Sequence, residues 1–327
     1  MRTTMTLAPI AFGVFTLALA APALAQEMSH EHHHQTAPMP APAPPAAGQT
    51  TPAQPGQTPA PPRAGDAVVP VPVNAALPPP DERAKETLDK SPRHGEFVDV
   101  AVPGRSTPIR TWVVFPERKD KAPIVIVIHE IYGLSDWIRG VADQLAKDGF
   151  IALAPDLITG KGPGGGGTES LPSRDDVVKA IRALTPEEVL EGLNAVRTYG
   201  VKLPAANGKS ATLGFCWGGS TSFRYATAQP DLSAAVVFYG GSPDAAALAT
   251  IKAPVLGLYG GDDARVNATI QPAAAELNKL GKTYIPHIYE GAGHGFLRQQ
   301  GGRDGANLKA TEQAWPTALT FLRQHTK

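Results

Sequence analysis

The sequence predicts an α/β fold: a mostly parallel central sheet with helices on both faces. Strand and helix signals alternate after residue 100, the central strand candidate is an unbroken β-branched run, and polar residues recur directly after strands. Repeated strand–helix units produce parallel strands joined by helical crossovers. A strand covered on both faces needs no polar alternation, and Ile124–Ile128 (I-V-I-V-I) has none.

Taken in order, Ile109–Phe115 reads as an early strand on the antiparallel side of the sheet. Ser135 is placed to cap a helix running through Lys147 and ended by Gly149, and Phe150–Ala154 is the next strand. Thr185-Pro186-Glu187-Glu188 joins a cap residue, a first-turn proline and early acids, so it starts a helix to about Tyr199. Ser210–Gly214 ends a strand, and Thr221–Thr227 is helical. Strands at Leu232–Tyr239, Val255–Tyr259 and Tyr284–Tyr289 alternate with helices at Ala268–Leu280 and Gly305–Gln324. The glycine-rich run 160–167 lacks the Lys-Ser/Thr of a phosphate loop and reads as a flexible loop by the site mouth. His287, in an alternating strand, and His325, in the last helix, read as structural.

In such a sheet, functional groups gather at the carboxyl ends of the strands. Four candidates obey the rule: Glu130, Cys216, the Asp262-Asp263 pair and His294. Gly214-Phe215-Cys216-Trp217-Gly218 is the nucleophile-elbow pattern with sulfur in place of oxygen. Its glycines fit the steric demand of a sharp strand-to-helix turn, which lifts the thiol to a helix N-terminus that favours a thiolate. The alternative is a small buried cysteine in a glycine-rich turn. The order nucleophile, acid, histidine matches the hydrolase triad and favours the catalytic reading.

The amino terminus reads as a secretory signal, residues 1–25: Arg2, an apolar run from Leu7 to Ala20, and Ala23-Leu24-Ala25 before Gln26. Export, to the periplasm or beyond the cell, is expected, without stable membrane insertion. Cys216 is the one cysteine in 327 residues, so no internal disulfide forms, and a lone thiol kept in an oxidising compartment points to reactivity. Residues 26–92 are Pro- and Ala-rich and read as a disordered leader, leaving 93–327 as the folded domain. His30, His32, His33 and His34 in that leader can bind metal weakly but read as a solvated tract. With 30 basic and 30 acidic residues, no electrostatic case exists for a nucleic-acid partner.

At this point the chain resembles the dienelactone hydrolase family of α/β-hydrolases, over approximately residues 95–327. The resemblance rests on His129-Glu130-Ile131-Tyr132-Gly133, Gly214-Phe215-Cys216-Trp217-Gly218-Gly219, Gly260-Gly261-Asp262-Asp263 and Gly293-His294-Gly295-Phe296. It implies Cys216 as nucleophile, His294 as base, and Asp263 as the residue orienting the histidine, with Asp262 as the alternative acid or a turn residue. It also implies Glu130 beside the thiol, and the amides of Ile131 and Trp217 as the oxyanion hole. Arg298 matches an arginine that holds a substrate carboxylate; a second such arginine is not placed by the sequence. Tyr132 and Tyr239 complete the candidate substrate-binding set.

The residue types supply the chemistry. A thiol is strongly nucleophilic but sparsely ionised near neutrality, so an imidazole that accepts its proton activates it. The expected activity is cleavage of a small lactone or carboxylic ester with no cofactor and no metal. A broader esterase or thioesterase and a non-catalytic hydrolase-fold binding protein are the alternatives. The sequence specifies no oligomeric state.

Overall fold

The computed structural model describes residues 67–327, so the signal sequence, the leader up to residue 66 and the His30–His34 tract lie outside the described residues. Eight strands form one sheet: β1 (Gly95–Val100), β2 (Ile109–Val114), β3 (Ala122–Ile128), β4 (Ile151–Pro155), β5 (Ala206–Phe215), β6 (Ala234–Phe238), β7 (Val255–Gly260) and β8 (Tyr284–Tyr289). Their spatial order is β1-β2-β4-β3-β5-β6-β7-β8. The β1–β2 and β2–β4 pairs are antiparallel, and every neighbouring pair from β4 to β8 is parallel. The helices are α1 (Ala84–Asp89), α2 (Asp136–Lys147), α3 (Arg174–Arg182), α4 (Pro186–Val201), α5 (Trp217–Ala228), α6 (Ala245–Leu248), α7 (Ala264–Asn267), α8 (Ile270–Lys279) and α9 (Ala306–His325). This is the α/β-hydrolase architecture.

The two-residue period of a strand divides the core. Val125 and Val127 face the layer of α2 and α9, packing with Trp137, Leu145 and Trp315. Ile124, Ile126 and Ile128 face the opposite layer, packing with Leu193, Val196 and Phe223. All five β3 residues have no solvent exposure, and each side chain so buried contributes about 1.5–3 kcal/mol. Local signals agree with this packing. Ser135 Oγ accepts from the Ile138 amide at 3.4 Å, and Thr185 and Glu188 form a reciprocal capping box over the start of α4.

The domain begins earlier than the composition implies. Residues 67–92, assigned from sequence to a disordered leader, lie against the domain. Leu77 and Ala84 are buried in the core layer of α2. Trp137 Nε1 donates to Pro79 O at 3.1 Å, Gln300 Nε2 to Pro78 O at 2.9 Å, and the Val69 amide to Gly301 O at 2.6 Å. Proline explains how so polar a segment holds its place. Its fixed φ lowers the entropy lost on ordering, and it has no N–H to leave unpaired.

Smaller differences have similar causes. The edge strand β1 carries Glu96 and Asp99, which mask its period, and the helix expected at Ala268–Leu280 is α8, which starts at Ile270, after the separate short helix α7 that the sequence reading did not place. The glycine-rich run is held, not loose: the Gly160 and Gly162 amides both donate to Gly166 O, and the Asp156 carboxylate accepts from Thr168 N and Oγ1 at 2.7 and 2.8 Å.

Candidate active site

Cys216 joins β5 to α5 with φ 54° and ψ −114°, a left-handed conformation that a non-glycine residue adopts only under constraint. The constraint is steric crowding around the turn. A Cβ on Gly214 would lie 2.0 Å from Gly218 O, and one on Gly218 would lie 2.3 Å from both Ile128 O and His129 O. The Cys216 amide donates to Phe238 O at 3.1 Å, which pins the turn to β6.

Strand register sets what surrounds the thiol. Ile128 pairs with Gly214, so Glu130 and Ile131 leave β3 at the level where Cys216 and Trp217 leave β5. Phe215 pairs with Phe238, which brings Tyr239 alongside from β6. Gly260 at the end of β7 pairs with Tyr289 at the end of β8, and the following loops carry Asp263 and His294. Parallel pairing thus gathers segments up to 164 residues apart, Glu130 to His294, on one sheet edge.

His294 Nδ1 lies 2.5 Å from Asp263 Oδ2, with Asp263 buried and the imidazole partly open. Asp263 also accepts from the Val266 amide at 3.4 Å, capping α7. Asp262 points elsewhere. It is exposed and pairs with Arg303 Nη1 at 3.2 Å.

Burial pushes the Cys216 thiol above its ordinary pKa; the Trp217 amide pulls it down, and the Glu130 and Asp263 charges push it further up. Desolvation thus opposes the thiolate that the helix N-terminus favours. Glu130 is almost fully buried, and desolvation pushes its carboxyl up to about 7 although Arg298 pulls the other way. Arg298 Nε is 3.2 Å from Glu130 Oε1, an ion pair in which the N–H is not aimed well enough to form a hydrogen bond.

His129 supports this corner from behind. Fully buried and held below its ordinary pKa by desolvation, it is neutral near pH 7. Nε2 accepts from the Leu157 amide at 3.4 Å, so Nδ1 carries the proton donated to Glu130 O at 2.8 Å. Its ring stacks on Trp217 at 5.3 Å between centroids, tying the two proposed oxyanion segments together.

A family model described as the dienelactone hydrolase family matches residues 109–326. The chain belongs to that family. It is 31% identical over 251 residues to a Saccharolobus solfataricus protein assigned as a carboxymethylenebutenolidase, covering 67% of this chain and 95% of the relative. A similarly assigned Methylorubrum extorquens protein is 30% identical over 244 residues, covering 69% of this chain and 80% of the relative. A crystal structure assigned as a dienelactone hydrolase from Klebsiella pneumoniae superposes with TM-score 0.63 at 26% identity, covering 71% of this chain and 99% of that one. Family membership makes this protein a hydrolase acting on ester bonds.

Within this dienelactone hydrolase family member, two candidate residues sit differently from expectation, and two others emerge. Tyr239, placed from sequence among the substrate contacts, has no solvent exposure. Its ring packs 5.2 Å from His294 and 5.3 Å from Phe296, and among the described residues its hydroxyl has no hydrogen-bond partner, so it backs the histidine without lining an open surface. Arg298 is largely covered rather than open to solvent, and its Nη1 donates to Asp81 Oδ2 at 2.7 Å. Asp81 lies in the segment the sequence reading assigned to the leader. Arg174, at the start of α3, sits 3.9 Å from the same carboxylate oxygen. Both guanidiniums lie over Tyr132, with Arg174 and Arg298 5.1 and 5.3 Å from its ring centre. No local motif marks Arg174 or Asp81; their chemistry exists only through this convergence.

A crevice of about 520 Å³ between residues 72–93 and α2 contains none of the strand-end residues. Among the described residues, no group of three or more His, Cys, Asp or Glu is arranged to hold a metal, and no helix is long and apolar enough to cross a membrane.

Proposed function

We propose that the protein is an exported hydrolase that opens a lactone or cleaves a carboxylic ester through a Cys216–His294–Asp263 triad and a thioester acyl-enzyme. The reaction is of the type named for the carboxymethylenebutenolidase relatives. The observation that carries this reading is Cys216 in a strained elbow on the sheet edge that also holds the 2.5 Å Asp263–His294 pair.

In this mechanism Asp263 holds Nδ1–H of His294, leaving Nε2 free to accept the thiol proton. Because burial disfavours the thiolate, this transfer activates the thiol for attack. Cys216 Sγ then adds to the carbonyl carbon, and the amides of Ile131 and Trp217 donate to the resulting oxyanion. Such a donor contributes about 3–4 kcal/mol in characterised holes. Collapse breaks the acyl C–O bond, with the His294 proton passing to the leaving oxygen. A water then gives its proton to His294 and cleaves the thioester, returning the thiol. Glu130, poised near neutrality beside the sulfur, sets the local charge.

The decisive experiment is hydrolysis of a small aryl ester by wild-type and Cys216→Ala proteins, with intact-mass detection of an acyl adduct on the only thiol. Wild type should turn over and acylate, and the variant should do neither. Equal hydrolysis by both would refute the triad. Export is tested by sequencing the mature amino terminus, expected at Gln26.

A further inference from the structure

We propose that Asp81 is a specificity-determining residue: a built-in carboxylate that fills the arginine pocket beside the nucleophile and directs the enzyme toward esters and lactones without a carboxylate near the scissile bond. The inference rests on the ester-hydrolase reading and concerns which substrates that site accepts.

The contact is reciprocal. The Asp81 amide donates to Arg298 O at 3.0 Å, and Arg298 Nη1 donates back to Asp81 Oδ2 at 2.7 Å. The same oxygen lies 3.9 Å from Arg174 Nη2. A largely covered guanidinium hydrogen-bonded to this carboxylate, with the more exposed Arg174 guanidinium near the same oxygen and both over the Tyr132 ring, forms an anion receptor whose occupant is already present. Asp81 is held there by its surroundings. Pro79 O and Pro78 O, two and three residues before it, accept from Trp137 and Gln300, and Leu77 is buried.

Charge bookkeeping gives the consequence. Arg298 and Arg174 are balanced by Glu130 and Asp81, so the pocket is neutral when both carboxyls are ionised. Without Asp81 it would carry one net positive charge next to Glu130 and would attract an anionic acyl group. A substrate carboxylate must therefore displace one that is tethered, and tethered groups compete at effective concentrations on the order of millimolar or higher. A neutral acyl chain meets no such competitor.

The test compares para-nitrophenyl butyrate with the para-nitrophenyl monoester of succinate, which differ in the presence of a carboxylate at the acyl end. Wild type should favour the neutral ester. In Asp81→Asn and in Asp81→Ala, each checked by thermal melting to be folded, the ratio of kcat/KM for the anionic over the neutral ester should rise at least about tenfold. The gain should come mainly through KM and should shrink in high salt. Titration calorimetry with glutarate on Cys216→Ala protein, with and without the Asp81 change, reads the pocket independently of turnover. Glutarate should bind only when Asp81 is replaced. A ratio unchanged within twofold, or glutarate binding equally to both proteins, would overturn the proposal. If wild type hydrolyses neither ester, the functional reading fails, while the glutarate titration still decides the role of Asp81.

Discussion

Asp263 and His294 meet at 2.5 Å although they leave neighbouring strands 31 positions apart in the chain, while Asp262, one residue away, faces Arg303 on the surface. The turn between β7 and α7, with Asp263 at the cap of α7, separates a carboxylate aimed into the site from one paired on the surface.

That separation predicts unequal effects for two isosteric changes. Asp263→Asn should lower kcat/KM by about 10³–10⁴-fold, because an amide stabilises the wrong imidazole tautomer. His294→Ala should lower it at least as far. Asp262→Asn breaks only an exposed ion pair, worth about 0–1 kcal/mol at most, and should stay within about twofold. Steady-state kinetics on one aryl ester compares all three, and an inverted order for the aspartates would reassign the acid.

The elbow makes a steric prediction. Gly218→Ala places a methyl 2.3 Å from two backbone carbonyl oxygens, which cannot move without shifting β3. The protein should lose several kcal/mol of stability, read as a drop of about 10 °C or more in melting temperature. Gly241→Ala is the control. Its nearest neighbour would be at 3.8 Å, and its melting temperature should change little.

Glu130 predicts a pH-dependent stability. Its carboxyl is raised from 4.5 to about 7, so the folded protein keeps a proton that the unfolded chain releases across that interval. The associated stability is fully present below the unfolded pKa and is lost as pH rises through about 7, by roughly 3 kcal/mol. Glu130→Gln lacks this titration. Its melting temperature should therefore gain on wild type by several degrees between pH 5 and pH 8, and a constant offset across that range would contradict the assignment.

The segment before β1 predicts the result of truncation. A chain starting at residue 67 keeps buried Leu77 and the Trp137–Pro79 bond, whereas one starting at residue 93 loses both. Losing that leucine uncovers the apolar surface of α2 that it packs on, at about 1.5–3 kcal/mol, and the Trp137 indole N–H exchanges its protein acceptor for water, at about 1 kcal/mol more. The shorter chain should melt roughly 10 °C lower. Equal melting of the two would restore the domain start at residue 93.

The elements that carry strong local signals were legible in the linear chain. The β-branched run of β3, the Thr185–Glu188 capping box and the glycines around Cys216 each encode a local conformation through sterics or short-range hydrogen bonds, and each element formed where expected. The strand-end rule also placed Glu130, Cys216, Asp263 and His294 on one edge, because parallel topology is itself dictated by the alternation of strands and helices.

Tertiary structure decided what depends on contacts between distant segments. Composition could not show that residues 67–92 pack, because their anchors are carbonyl acceptors on prolines matched by Trp137 and Gln300, and an acceptor leaves no mark in hydropathy. Nor could it show that Tyr239 is sealed in the core, or that Arg298 and Arg174 meet at the Asp81 carboxylate. The linear sequence determined the backbone path and the identity of the reactive groups, since propensity and strand period act over a few residues. Burial and charge pairing were settled only by folding, because desolvation and Coulomb forces depend on distances in space, not along the chain.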